Sequence, residues 1–338
     1  MRDEHNKIVS MLLNSEEPSI RYKILVNVLD EDPSSNQINK LREEIRNSAR
    51  VRKLLSLRSE TGEILSKRDV YDKWQGAHWI LASLADIGYP AGDESLIPVK
   101  DQILTFWLDE FYYKEFEAKE RADSYKLEGV PVMQGRYRRC ASQQGNALYF
   151  LLKLGLSDKR IDDLAERLLH WQWEDGGWNC DKNPDAKHSS FMESLLPLRG
   201  LALYSRMNKK RNAKTAAEKA SEIFLKRQLF IGQHTCKVIH PEFTYLHYPL
   251  YWHYDILAGL KVMAEAGFIG DKRCSKALDL LESKKLIDGW PAEKSYYKVS
   301  DEFKHGADYV DWGGTGKRNS NEWVTADALY VLKKSGRI

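Results

Sequence analysis

Gln172-Trp173-Glu174-Asp175-Gly176-Gly177-Trp178-Asn179-Cys180 is the stretch whose reading decides the fold. It closes a helical run over 158–171 and precedes another over 188–204. Paired glycines allow a tight reversal that a Cβ would resist. Gln172 at the end of its helix carries an amide suited to exposed backbone carbonyls and donors. Trp178 is a large flat side chain that can stack under the turn and pin it. Taken alone, these residues describe a well-made corner between two helices.

Working outward, one pattern recurs. An aromatic or polar start leads into a Leu- and Ala-rich stretch at helical spacing, then Gly and a short loop. It occupies 78–88, 145–155, 195–204, 255–267 and 326–336, with a less regular copy at 20–29. These segments are apolar on most faces, as expected for helices buried on two sides. Their terminal glycines read as helix stops. Between them lie amphipathic helices with one charged face, predicted over 4–13, 37–57, 94–119, 158–171, 211–229 and 271–284. Helix pairs repeating at ~40–70 residues must stack to bury their faces. An open superhelical array and a closed double ring both satisfy that pattern.

The words Q-x-x-D-G-G-W at 172–178 are those of the QW repeat, and the chain resembles the terpenoid cyclase and protein prenyltransferase superfamily. The resemblance runs from about Arg21 to the C-terminus and is specific only at 172–178. It implies an all-α fold, an (α/α)6 toroid of inner and outer helices, as one domain over 1–338. It also implies a central cavity for an isoprenoid or similar apolar ligand.

Composition narrows the function classes. The chain has 338 residues, 42% hydrophobic and 30% charged, enough for a sizeable core. A net charge of +3 is too balanced to argue for nucleic acid as a partner. The four cysteines are scattered, with no CxxC pair, which suits a reduced, cytoplasmic chain. The polar start of the sequence is not a signal peptide. No apolar run reaches the ~20 residues that span a bilayer. Long connections over 58–73, 118–139, 177–187, 230–248 and 287–321 are aromatic-rich, and long loops of this kind are usually functional.

Candidate site residues gather at the predicted first turns of the inner helices, which a closed ring would bring to one mouth. His188, Glu193, His253 and Asp255 are the acid–base candidates, with His247 just upstream. Trp74, His78, Arg139, Tyr251, Trp252 and Trp323 are the substrate-binding candidates. Their π faces suit a cation, and suit a sugar equally well. Protein prenyltransferases hold zinc through an Asp, a Cys and a His, and the zinc ligand types here are Cys140, Cys180, His188, His247 and His253. The Asp-x-Cys element is missing, although 252–260 loosely resembles the helix carrying the zinc histidine. The reading therefore assigns no metal, with zinc as the one cofactor the resemblance would supply. The Asp-x-Asp-Asp acid of the cyclases and the Asp-Asp-x-x-Asp magnesium motif are also missing. Two other function classes fit the same pattern. One is a carbohydrate-active enzyme on an (α/α)6 barrel, and the other is a non-catalytic scaffold.

Overall fold

Capping chemistry sets most helix boundaries. A computed structural model of the protein describes residues 2–338, with thirteen α-helices among them. Helix α1 is Arg2–Leu13, and α2 is Pro18–Tyr22, which runs on into a π-helical segment, Lys23–Val28. Next come α3 (Asn36–Arg46) and α4 (Ala49–Leu54), where the sequence predicts one helix over 37–57. The break has a local cause. The side chain of Asn47 donates to Glu43 O, and Ser48 Oγ caps the next helix at Val51 N. Helix α5 is Ala77–Asp86, and α6 is Ile97–Trp107. The helix predicted over 94–119 ends at α6, because Asp109 turns the chain by accepting from Phe111 N.

The rest of that stretch forms β1 (Glu115–Glu117), which pairs in parallel with β2 (Val130–Met133). β2 pairs antiparallel with β3 (Arg136–Tyr137). These strands lie partly in a connection expected to be irregular. Helices α7 (Ala141–Lys153), α8 (Arg160–His170), α9 (Phe191–Asn208) and α10 (Arg211–Leu225) follow. α9 starts later than the predicted His188, since Ser190 is its N-cap and accepts from Glu193 N. Last come α11 (Ile256–Ala266), α12 (Ser275–Ser283), a small parallel pair of β4 (Lys298–Val299) and β5 (Ala307–Asp308), and α13 (Glu322–Lys334). The protein is all-α apart from these short strands.

Two classes of helix emerge from the packing. The buried helices α5, α7, α9, α11 and α13 contact one another in that order, and α13 packs on the π-helical segment. The π-helical segment in turn meets the end of α5, where Lys23 Nζ donates to Asp86 at 2.8 Å. Tyr22, just before the π-helical segment, lies against Gly88, where a Cβ would sit 2.3 Å from its ring. Gly88 takes a φ of 83°, which an L side chain resists, so glycine is required twice over there. Helix α6 touches α5 and α7, α8 touches α7 and α9, and α10 touches α9 and α11. One buried apolar cluster runs from Ile8 in α1 to Leu332 in α13. No helix of the described residues is long and apolar enough to cross a membrane.

The closest helix pair is α7 on α9. Gly145 faces Pro197, where a Cβ would lie 2.4 Å from the proline nitrogen, and a Cβ on Gly200 would lie 2.5 Å from the Gly145 carbonyl oxygen. Pro197 has no N–H, so its ring sits mid-helix against a glycine that makes room for it.

Candidate functional site

The corner at 172–178 places the first group of candidates. Gln172 Nε2 donates to Gly176 O at 2.7 Å and Ala216 O at 2.9 Å, tying the turn to α10. Trp178 Nε1 donates back to Leu168 O at 2.9 Å, and its backbone N donates to Ser194 Oγ in α9 at 3.0 Å. A Cβ at Gly177 would meet that same Ser194 Oγ at 2.4 Å. A second corner, between α12 and α13, repeats this wiring. Trp290 Nε1 donates to Leu281 O at 2.8 Å, its N donates to Thr325 Oγ1 at 2.9 Å, and a Cβ at Gly289 would meet Thr325 Oγ1 at 2.3 Å. The sequence shows only Asp288-Gly289-Trp290 there, without the Gln and the second Gly.

Beyond Trp178 the chain runs beside the approach to α7, joined by a bridge between Arg138 and Asn179. The next residues along each strand bring Cys140, at the N-cap of α7, close to Cys180. Ser194 anchors the corner, so its neighbour Glu193 also falls here. The ligand atoms of Cys140, Cys180 and Glu193 all lie within 4.8 Å of one another. Cys180 Sγ is 3.3 Å from Glu193 Oε1, and the Ser142 N–H donates to Glu193 Oε2 at 3.0 Å. Burial raises the Glu193 carboxyl above the usual range, against the hydrogen bonds from Ser142. Its hydrogen bond with Cys140, then burial and Glu193, push the Cys180 thiol far up. Arg139 stands over the rings of Tyr112, Trp107 and Trp171 and donates to Gln143 and Gln144.

A cavity of about 110 Å³ lies between the buried helices. Trp79, Tyr248, Tyr251 and Trp312 line it from the helix-start side, with Leu195, Leu196 and Leu257. Asp86, Arg199, Lys261 and Asp327 line it deeper along the helices. His247 and Asp255 are also in its wall. Asp255 Oδ2 accepts from the backbone N of His247 at 2.8 Å and faces its Nδ1 at 3.1 Å. In a neutral ring, donation from Nδ1 to a carboxylate leaves the lone pair on Nε2. His247 Nε2 is buried with no hydrogen-bond partner among the described residues, and its nearest acidic neighbour is Glu242 at 3.7 Å. At that distance there is no hydrogen bond.

The other candidates are distributed as follows. Asp255 also caps α11 by accepting from Ala258 N at 2.8 Å. His253 does not pair with Asp255. It stacks between Trp252 and Tyr296 at 4.0 and 3.4 Å, and Nδ1 faces Leu250 O. Burial lowers its pKa to about 4. Trp74 stacks on Tyr251 at 3.8 Å and donates to Tyr296 O, while Tyr251 donates to Asp308 Oδ2. Trp252 has Lys73 over its ring, and its buried Nε1 has no partner among the described residues. Trp323 packs against Tyr248 and Trp312 beneath Arg50. His188 is exposed in the loop before α9, and only its carbonyl is engaged, by Asn179. His78 is fully buried in the core, where Nδ1 accepts from Trp107 Nε1 at 3.1 Å and Nε2 faces the Asn146 amide. Burial drives its pKa to about 3, so the ring is neutral. Of the predicted site residues, Tyr251 and Asp255 line the cavity; Trp74, His78, Arg139, His188, Glu193, Trp252, His253 and Trp323 are not in its wall.

The charged depth of the cavity is the part that sequence reasoning missed. Lys23 bonds Asp86 and Asp327 at 2.8 and 3.0 Å, Lys261 bonds the same two at 2.7 Å, and Arg199 pairs with Glu265. Burial would raise the Asp86 carboxyl, but Lys23, Lys261 and Arg199 together hold it well below the usual range. The signal was the presence of Lys23, Asp86, Arg199, Lys261 and Asp327 within otherwise apolar inner segments. No family model matches the chain, and no curated protein matches it.

Proposed function

We propose that the protein is an enzyme built on an (α/α)6 toroid like those of the terpenoid cyclases and protein prenyltransferases, holding a small apolar group in its central cavity. The cyclic order of buried-helix contacts supports the toroid, together with Lys23 binding residues of both α5 and α13. The observation that carries the activity is the Asp255–His247 pair in the cavity wall, with Nε2 free of any hydrogen bond. A carboxylate that orients a histidine leaves the far nitrogen to take or return a proton. Asp255 is the positioning residue and His247 the base.

Cavity size sets the substrate class. About 110 Å³ is well below the roughly 300–1,000 Å³ of a drug-sized pocket, so one isoprenoid unit or a group of that size fits. The rings of Trp79, Tyr248 and Tyr251 would contact its apolar part and favour positive charge developing on it. A glycan-active site needs two carboxylates facing across a cleft. Here Asp86, Asp255 and Asp308 are each engaged by internal hydrogen bonds, which gives that reading less support.

Ala258→Phe fills the cavity from α11, and His247→Gln removes the base. The full chain and both variants would be incubated with a lipid and metabolite extract, washed, and analysed by native mass spectrometry. The expected result is a small apolar adduct on the wild type, lost in Ala258→Phe and retained unconverted in His247→Gln. Identical spectra for wild type and Ala258→Phe would remove the cavity as the binding site.

A further inference from the structure

We infer that Cys140, Cys180 and Glu193 form a binding site for one thiophilic divalent cation, of which zinc is the natural case. Three parts of the chain converge on it: the N-cap of α7, the segment leaving the 172–178 corner, and the first turn of α9. The three ligand atoms lie within 4.8 Å of one another. A tetrahedral ion with bonds of about 2.3 Å to sulfur and about 2.0 Å to oxygen needs its ligands roughly 3.5–3.8 Å apart. A contraction of about an ångström therefore closes the site. Two thiolates with one carboxylate select zinc over magnesium or calcium, which prefer all-oxygen shells.

The surroundings are those of a metal site rather than of three idle acids. Ser142 N–H holds one Glu193 oxygen and leaves the other turned toward Cys180. Outer-shell bonds of this kind orient ligands. Ligands and ion together carry one net negative charge, and Arg139, which immediately precedes Cys140, is a cation beside it. Gln144 is fully buried one turn into α7; its Oε1 accepts from Arg139, but its Nε2 has no partner among the described residues. Without an ion, two thiols and a buried carboxyl are crowded together, each disfavouring ionisation of the others. Metal binding resolves this, and the two thiol protons pass to solvent. Three protein ligands leave a fourth position for water or substrate, the arrangement of catalytic rather than structural zinc.

The inference is independent of what the central cavity binds. Its test uses the reduced full chain, titrated anaerobically with Co²⁺ and then Zn²⁺. The expected result is about one equivalent bound with a thiolate-to-cobalt absorption band, which zinc abolishes. Cys140→Ser and Cys180→Ser should each weaken binding by more than about tenfold, the scale on which even outer-shell partners act. Glu193→Gln should shift the cobalt spectrum, while Cys236→Ser, at an exposed position, should change nothing. Far-UV circular dichroism confirms that the variants are folded, and the wild-type titration stands without them. A wild-type titration with no thiolate band overturns the inference, as does a band that survives both cysteine variants. Reduced protein that takes up no cobalt, and joins Cys140 to Cys180 on exposure to air, overturns it in favour of a redox pair.

Discussion

His78 shows how one residue can look catalytic in sequence and serve the core in structure. Both ring nitrogens face partners from other helices, and burial holds the pKa near 3. The unfolded chain would titrate near 6.5. A histidine with a lowered folded pKa contributes its stability in full above the unfolded value, and that stability drains as pH falls below it. Between about pH 6 and about pH 4 the wild type should lose about 1.4 kcal/mol per pH unit on account of His78. His253, lowered to about 4, adds to the same slope. His78→Gln should make the slope shallower by about the His78 share, as read from urea midpoints across that range. An unchanged slope would mean that His78 is protonated in the folded protein.

Elements are joined by two devices that a sequence displays unevenly. The first is the corner, in which a tryptophan side chain donates backward to one helix while its backbone N–H donates to a hydroxyl oxygen of the next. Trp290→Phe deletes the bond to Leu281 O and leaves a smaller ring in a fully buried site. It should cost at least the roughly 1 kcal/mol of the bond, with the cavity added, visible as a lower chemical-denaturation midpoint. Trp178→Phe should cost about the same, since the two corners share one wiring. A cost at Trp178 alone would show that the second corner is only a geometric likeness. The second device is close helix contact through glycine. Gly145→Ala would drive a methyl into the backbone at Pro197, which cannot swing aside, and should cost about 3 kcal/mol. Thermal unfolding of that variant within a degree or so of the wild type would contradict the contact.

For the molecule as a whole, the buried charges at the cavity's depth do what no single helix can. Lys23 lies near the start of the chain and Asp327 near its end, and they meet with Asp86 and Lys261 in one network. Removing one partner of such a set strands the others in low dielectric. Lys23→Met should therefore cost about 3 kcal/mol, and it should raise hydrogen exchange in 18–28 ahead of the rest. Lys23→Met combined with Asp86→Asn should recover part of that loss, because the stranded carboxylate is gone. A loss confined to under about 1 kcal/mol would rank the network with surface ion pairs. The Asp86 carboxyl is held low, so its contribution is complete above about pH 4 and is lost as pH falls through the folded value.

The sequence by itself determined the helical class, the approximate order of buried and amphipathic helices, and the corner at 172–178. Each rests on local periodicity, glycine and capping residues, which act over a few residues. It also pointed to Glu193, Tyr251 and Asp255, because they stand near helix starts. Only the tertiary structure decided which partners they take. Asp255 pairs with His247 rather than His253, Glu193 meets one cysteine at the N-cap of α7 and another just beyond the 172–178 corner, and His78 turns into the core. Those pairings join residues far apart in the chain, and side-chain direction at a helix start depends on how the neighbouring helix is rotated. The second corner was illegible for a related reason. Its essential parts are a glycine, a tryptophan and a hydroxyl from the next helix, and the hydroxyl is supplied only when the chain folds back.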